Sequence, residues 1–167
     1  MSVTTRPMDL AEIVTEVEIA APRDVVWAVL TQEPAPWWHP AFCSDPRGAE
    51  VGGLRIEAEL GGRMFEDWGE GQGLVWGQVV ALDRGRVLQV VGDTSPAWGG
   101  PSRHWFTWRL EDSGAGTRLR FENAIWGVVS EATRASLEEG WAYLFEHGLK
   151  RWCETGTLDG APPAPGC

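Results

Sequence analysis

The stretch SEATRASLEEGWAYLFEHGLKRWCE, residues 130–154, decides the fold. Its apolar residues recur at helical spacing and form one stripe, with a glycine on the same line: Leu137, Trp141, Leu144, Phe145, Gly148 and Trp152. Ser130 is suited to cap the start of this helix, and Gly156 to end it in a left-handed conformation. A helix of this length extends about 35 Å and needs a broad surface to lie on. Since most of the preceding chain has strand patterns, the sequence predicts a curved sheet around one C-terminal helix.

The composition excludes several classes of protein. Among the 167 residues, Asp and Glu outnumber Lys and Arg 24 to 14, a balance that argues against binding nucleic acid. No apolar run is long enough to span a membrane. The three cysteines, Cys43, Cys153 and Cys167, have no paired spacing, and the first residues lack the apolar core of a signal peptide. We therefore expect a reduced, cytoplasmic, single-domain protein.

Tryptophan is the unusual residue of this chain. There are 11 tryptophans and 1 tyrosine. An indole is costly to bury completely because its N–H needs an acceptor, whereas aromatic-lined ligand pockets and interfaces use tryptophan freely. The composition thus favours a binding site, with a tryptophan-rich core as the alternative for each individual residue.

The order of elements follows from changes of period along the chain. Residues 12–20 alternate as a half-buried strand, and residues 22–32 form a short helix that Pro22 opens. Prolines at 34, 36 and 40 then restrict the chain to at most one helical turn, so this segment is predicted to form a corner. Six further strands follow, separated by turns rich in glycine: 54–60, 63–70, 72–82, 86–91, 103–111 and 117–126.

The ends of the chain are expected to lie outside the domain. Residues 1–10 have no periodicity and are predicted to form a flexible arm. Residues 156–167 are rich in Gly and Pro and are predicted to be a disordered tail. The domain itself is therefore assigned to residues 11–155.

Five segments in this order resemble the START-like (SRPBCC, birch-pollen-allergen-like, helix-grip) superfamily, in the branch related to the activator of heat-shock-protein-90 ATPase. They are APRDVVWAVLTQ at 21–32, VGG at 51–53, GLVWGQVVALDRGRVLQV at 73–90, HWFTWRLEDSGAGTRLRF at 104–121 and the Gly140-Trp141 pair. The resemblance implies an α+β helix-grip fold, with six or seven antiparallel strands wrapped around the C-terminal helix and two short helices after the first strand. It does not specify an activity, because one fold supports several functions.

The resemblance also implies a ligand cavity between the concave sheet face and the long helix, closed by the two short helices. The aromatic residues predicted to line it are Trp37, Trp38, Phe42, Trp68, Trp76, Trp105, Trp108, Trp141 and Phe145. Which strand residues face inward stays open, because a shift of one residue exchanges the two faces. Trp37 and Trp38 are equally compatible with a lid and with an anchor of the corner. Gly140, inside a helix, indicates close approach by a neighbouring group.

Few residues suggest catalysis. Glu66 and Asp67 are neighbours on a strand and face opposite sides, so they cannot form a carboxylate pair. An inward Glu66 is a weak candidate for an acid or base, although pairing with Arg55 or Arg63 is commoner. His104 is a second weak candidate at the cavity mouth, with a satisfied histidine as the alternative.

Other motifs of catalysis and binding are missing from the sequence. GEGQG at 69–73 lacks the spacing of a phosphate-binding loop and is predicted to be a hairpin turn. His39 and Cys43 have a metal-like spacing, but Pro40 lies between them and no second pair of ligands is near. We expect no metal and no cofactor. Arg118 and Arg120 alternate with apolar residues and are predicted to lie on a solvated outer face.

These observations favour a non-catalytic protein that binds a small hydrophobic or aromatic molecule in the cavity. One alternative is an enzyme of the polyketide cyclase or dehydratase type that uses Glu66 or His104. Another is a co-chaperone-like interaction module whose exposed tryptophans contact an unidentified protein partner.

Overall fold

The structure, a computed structural model, describes residues 5, 7–51, 53–95 and 100–158. Seven strands form one antiparallel sheet in the order β1-β7-β6-β5-β4-β3-β2. Their bounds are Asp9–Ile19 (β1), Leu54–Ile56 (β2), Arg63–Gly69 (β3), Gln72–Asp83 (β4), Val87–Thr94 (β5), Ser102–Ser113 (β6) and Gly116–Gly127 (β7). All neighbouring strands except β1 and β7 are consecutive in the chain, so the sheet is a meander whose first strand pairs with its last.

The helices lie before and after this meander. Helix α1 (Arg23–Leu30) and helix α2 (Pro46–Val51) precede β2, and a single 3₁₀ turn at Pro40–Phe42 lies between them. The C-terminal helix comprises α3 (Glu131–Tyr143), a wider π-helical segment (Leu144–Lys150) and α4 (Arg151–Thr155), which follow one another without a break. The predicted α+β helix-grip fold is confirmed.

The ends of the C-terminal helix match the sequence prediction. The Ser130 hydroxyl accepts a hydrogen bond from the Thr133 backbone N–H at 3.0 Å. Gly156 has a φ of 71°, the left-handed conformation that ends a helix cheaply when no Cβ is present. The π-helical segment brings Leu144, Phe145, Gly148 and Leu149 to the buried side of the helix.

Alternation along the strands gives the sheet an inner face, toward the C-terminal helix, and an outer face. Along β6 the even-numbered residues from His104 to Leu110 are buried on the inner face, and Arg103, Trp105 and Arg109 are exposed on the other side. Along β7 the odd-numbered residues point inward, whereas Arg118 and Arg120 form outer-face ion pairs with glutamates of β1. The predicted solvated face of these two arginines is therefore confirmed.

Two short elements differ from the sequence prediction. The predicted strand 54–60 ends at Ile56, because the Glu57 carboxylate pairs with Arg63 and the chain turns back at Gly62. A Cβ on Gly62 would lie 2.1 Å from the Glu57 carbonyl oxygen, so the turn requires glycine there. The resemblance implied a second short helix, but no pattern in the residues located it at α2.

The predicted ends of the domain are tested only in part. Strand β1 begins at Asp9, three residues earlier than the alternation indicated. Residues 1–4, 6 and 159–167 lie outside the described residues, so the flexible arm and the disordered tail stay predictions. Among the described residues, no helix combines the length and the hydropathy needed to cross a bilayer.

Candidate functional site

Seven buried aromatic side chains of the described residues form one layer between the sheet and the C-terminal helix, which we call the aromatic interior. They are Trp37, Trp38, Phe106, Trp108, Phe121, Trp141 and Phe145. Trp141 of the helix lies at the centre, with ring centroids 4.4 Å from Phe121, 5.7 Å from Phe106 and 5.9 Å from Trp38. Rings from the sheet, the helix and the corner (residues 31–51) therefore meet at one point.

Most residues predicted to line the cavity lie in or beside this layer. Trp37, Trp38, Trp108, Trp141 and Phe145 belong to it. Trp76 packs on its edge, 6.4 Å from Trp38, and Phe42 and Trp68 are half-buried at its rim.

Trp105 is a correction to the predicted set. Its side chain is 50 % exposed on the outer face of the sheet, because it alternates with the inward Phe106. Phe106 and Phe121, which both contact Trp141, were not among the predicted lining residues. The signal was present in the alternation itself: outward arginines at 103 and 109 place the even-numbered residues of β6 on the inner face, and those at 118 and 120 place the odd-numbered residues of β7 there.

The corner both covers and anchors the aromatic interior. Trp37 is fully buried and donates from Nε1 to the Leu30 carbonyl oxygen at 3.1 Å, which attaches the corner to α1. Gly148 of the helix approaches closely, since a Cβ there would lie 2.4 Å from the Trp37 carbonyl oxygen. Trp38, one residue on, contacts Trp76 and Trp141 instead. Trp37 thus anchors the corner, and Trp38 covers the aromatic interior.

Glu66 is a fully buried carboxylate at one end of the interior. It accepts four hydrogen bonds: from the Ser44 backbone N–H (2.8 Å), the Ser44 hydroxyl (3.0 Å), Trp68 Nε1 (3.1 Å) and Trp76 Nε1 (3.1 Å). Such a set of donors offsets the desolvation of the carboxylate without a cation. Glu66 therefore fastens the corner, through Ser44, to strands β3 and β4.

The expectation that an inward Glu66 pairs with an arginine was wrong. Arg55 lies 3.2 Å from Asp67 on the opposite side of β3, and Arg63 pairs with Glu57. The indole N–H groups of Trp68 and Trp76 and the two donors of Ser44 compensate the charge instead, and Ser44 and Trp76 lie 22 and 10 positions away in the sequence.

His104 lies at the other end of the interior, buried and stacked on Phe106. Its Nδ1 lies 3.3 Å from the Asn123 side-chain oxygen, and its Nε2 lies 3.1 Å from the Ser102 hydroxyl. Because an amide oxygen accepts only, Nδ1 carries the proton and Nε2 accepts from Ser102. Burial lowers the pKa of His104, against smaller raising effects of Asn123 and Asp93. It is a satisfied, neutral histidine, as the alternative interpretation had it.

Three buried donor groups around Phe106 have no acceptor among the described residues: Trp108 Nε1, Trp141 Nε1 and Asn123 Nδ2. Phe106 lies between them, 6.0 Å from Trp108 and 5.7 Å from Trp141 by ring centroid, and it stacks on the histidine that Asn123 contacts. Trp38 Nε1 also lacks a conventional acceptor and lies beside the weakly accepting Cys43 sulfur. The interior thus offers donors without matching acceptors.

The remaining candidate residues have structural partners. The His39 ring accepts from the Ala41 backbone N–H at 3.1 Å and caps the 3₁₀ turn. Burial, and secondarily Glu66, raises the pKa of the Cys43 thiol to about 11. Across the described part of the chain, no three His, Cys, Asp or Glu side chains converge as metal ligands. The segment 69–73 forms the predicted hairpin turn between β3 and β4.

The sheet, the gripped helix and the buried aromatic layer define a helix-grip protein, and solved structures agree. A protein of Mesorhizobium loti superposes with a TM-score of 0.64 at 22 % identity, covering 89 % of this chain and 100 % of that one. The Aha1 dimer of Colwellia psychrerythraea gives 0.62 at 20 % identity, covering 87 % and 98 %. CalU16 of Micromonospora echinospora gives 0.59 at 20 % identity, covering 90 % and 84 %.

These likenesses establish the fold, and at such identities they establish no more. No protein-family model and no curated protein matches the sequence. The helix-grip fold is shown, and membership of the superfamily and of the branch within it stays a prediction.

Proposed function

We propose that this protein binds a small hydrophobic or aromatic molecule between the inner face of the sheet and the C-terminal helix, without catalysing a reaction. The observation that carries the proposal is the aromatic interior, in which rings from three separate elements meet at Trp141. Aromatic walls with a few polar groups are typical of small-molecule sites, and they gain affinity mainly from buried apolar area.

The ligand reaches the aromatic interior through the corner. Discrete contacts attach it to the rest of the molecule, among them Trp37 with Leu30, Ala35 with Leu54, Ser44 with Glu66, and Trp38 with its neighbouring rings. Sheet strands are held by continuous ladders, so the corner moves with less loss of hydrogen bonding than any strand of the sheet does. A ligand enters when Trp38 swings away from Trp141.

Binding is favoured over catalysis by the state of the two acid–base candidates. Glu66 is engaged by four donors, and His104 has a partner at each ring nitrogen. A general base needs a free lone pair within reach of the proton it removes. These contacts instead hold the two ends of the interior in place.

The test is native mass spectrometry of the freshly purified protein, followed by titration of tryptophan fluorescence with aromatic and acyl compounds. We expect a co-purifying mass or a saturable quench. Trp141→Ala should weaken the best compound at least about tenfold, because the central ring loses its contacts. The matched control Trp126→Ala removes an indole that is 58 % exposed on the outer face and should leave affinity unchanged. A clean apo mass with no quench by any compound would end the proposal.

A second candidate, a protein-interaction module, is favoured by one observation on the outer face. Trp105 and Trp126 are diagonal neighbours on β6 and β7, and Leu10, which pairs with Trp126, is 77 % exposed. Exposed aromatic patches of this kind occur in protein interfaces. A stoichiometric partner retained by the wild type and lost by Trp105→Ala/Trp126→Ala would support it. If the wild type and the double variant retained the same proteins, the interaction module would be contradicted.

A further inference from the structure

Three donors of the aromatic interior have no hydrogen-bond partner among the described residues: Trp108 Nε1, Trp141 Nε1 and Asn123 Nδ2. Trp108 and Asn123 are fully buried and Trp141 is 5 % exposed, so bulk water does not reach these groups from the surface. Buried donors in proteins are nearly always paired, because leaving one unpaired destabilises the folded state. Three of them around Phe106 therefore call for an acceptor.

The side-chain acceptors at the two ends of the interior are already in use. The Asn123 side-chain oxygen faces His104 Nδ1, and His104 Nε2 faces the Ser102 hydroxyl. The Glu66 carboxylate, at the other end of the interior, holds four donors of its own. No acceptor for the three donors is left among the described residues, so a bound molecule can supply one.

Packing alone does not account for the indole N–H groups. Phenylalanine fills the interior at 106, 121 and 145 and brings no unpaired donor. The same ring contacts at 108 and 141 would be made by phenylalanine with only a moderate loss of buried area. The presence of N–H groups at these two positions indicates that they recognise something polar.

We propose that the ligand of this site is a largely apolar, neutral molecule with a carbonyl-type oxygen, which accepts hydrogen bonds from Trp108, Trp141 and Asn123. This inference rests on the proposed function and deepens it. A protonated amine is disfavoured because an ammonium group only donates hydrogen bonds and cannot accept from the indole and amide N–H groups. A carboxylate is disfavoured because three donor atoms are fewer than the four that hold the Glu66 carboxylate, and the side chains packed around the three are aromatic or neutral and supply no cation.

The test compares two rigid probes of nearly the same shape, 9-fluorenone and fluorene, which differ by one carbonyl oxygen. Affinities are measured by quenching of tryptophan fluorescence and by calorimetry. Fluorenone is the less hydrophobic probe, so burial of apolar surface alone predicts weaker binding of fluorenone. We expect wild-type protein to bind fluorenone more tightly, by roughly 2–10-fold for each hydrogen bond formed.

Conservative variants assign the preference to particular groups. Trp108→Phe and Trp141→Phe keep an aromatic ring and remove the N–H, and each should lower the fluorenone-to-fluorene affinity ratio by roughly 2–10-fold. Using the ratio cancels the packing loss, which affects both probes. Trp126→Phe, on the outer face, is the control and should keep the wild-type ratio.

A spectroscopic readout needs no variant. The C=O stretching band of bound fluorenone should move to lower wavenumber than in an apolar solvent if donors contact the oxygen. Binding of both probes with a ratio of one or less, or an unshifted band, overturns the inference, means that water satisfies the donors, and leaves the proposed function standing. A preference that survives in both variants overturns it as well. Binding of neither probe up to its solubility limit contradicts the proposed function, and this inference with it.

Discussion

The two ends of the aromatic interior differ in whether their buried polar groups have hydrogen-bond partners. At one end the Glu66 carboxylate is buried with four donors around it, from Ser44, Trp68 and Trp76. At the other end, Trp108, Trp141 and Asn123 present donors with no acceptor among the described residues. A buried polar group with a complete set of partners stabilises one arrangement, whereas an incomplete set is stable only when something else completes it. The first end therefore holds the structure, and the second is open to a ligand.

The largest expected effect is at the completed end. Glu66→Ala leaves four donors in the interior without an acceptor and should reduce the free energy of unfolding by about 3–5 kcal/mol. The midpoint of thermal unfolding should fall by roughly 6–20 °C in a chain of this size. Glu59→Ala, on an exposed residue, is the matched control and should change stability by less than about 0.5 kcal/mol. Similar stabilities of the two variants would mean that Glu66 does not fasten the corner.

The next effect concerns packing of the corner against the helix. Gly148→Ala places a Cβ 2.4 Å from the Trp37 carbonyl oxygen, so backbone has to move, and we expect a loss of about 1–3 kcal/mol in urea unfolding. In Gly140→Ala the new Cβ meets only the Phe42 ring, at 3.3 Å, and the ring can yield. Alanine also gains about 1 kcal/mol of helix propensity there, so the Gly140 variant should be near neutral. The reverse order of the two variants would contradict the close approach at Gly148.

A smaller effect is expected from pH at the open end. Burial lowers the pKa of His104 below its ordinary value of 6.5 in the folded state. As the pH falls through 6.5 toward that lowered pKa, the unfolded chain takes up a proton that the folded chain does not, so stability decreases. Urea unfolding of the wild type should show this loss between about pH 7.5 and pH 5.5, above the range in which carboxylates titrate. His104→Gln should show less of it, and an identical slope in the two proteins would exclude His104 as the cause.

The smallest effect is kinetic. The raised pKa of Cys43, about 11, keeps its thiol protonated near neutral pH, so reaction with Ellman's reagent should be slow in the native protein. Cys43 lies beside Trp38 and Glu66, and Glu66→Gln should accelerate its labelling by loosening the corner. Cys153, whose pKa burial raises to about 12, is the internal control and should label equally slowly in both proteins. Peptide mapping by mass spectrometry separates the two sites, and equal Cys43 rates in both proteins would mean that Glu66 does not control the corner.

Local patterns predicted the fold well, because strands and helices have hydrophobic periods of about two to four residues, which a short stretch of sequence shows. The stripe from Leu137 to Trp152, the cap at Ser130 and the stop at Gly156 were all readable, and the structure has each of them. Helix α2 was not located because its sequence, PRGAEV, is too short to show a period. Strand β2 was predicted too long because the turn at Gly62 depends on the contact between Glu57 and Arg63.

The candidate site was predictable only in outline. An excess of tryptophan indicated aromatic walls. Trp108 and Trp105 could be assigned to opposite faces only after one residue of β6 had been assigned to the inner or the outer face. The outward arginines of β6 and β7 contain that information, and they also place Phe106 and Phe121 inward. The donors of Glu66 come from residues 22 positions before it and 2 and 10 positions after it, so no local pattern announces them.

The sequence by itself determined the order of elements, the helix that the sheet grips and the aromatic character of what lies between them, because periodicity and composition are properties of the chain. Only the tertiary structure decided which polar groups are paired. Hydrogen bonding in an interior depends on distances between residues far apart in sequence, such as Ser44 with Glu66 or His104 with Asn123. The difference between a completed carboxylate and three donors without an acceptor exists only once the sheet, the corner and the helix have come together.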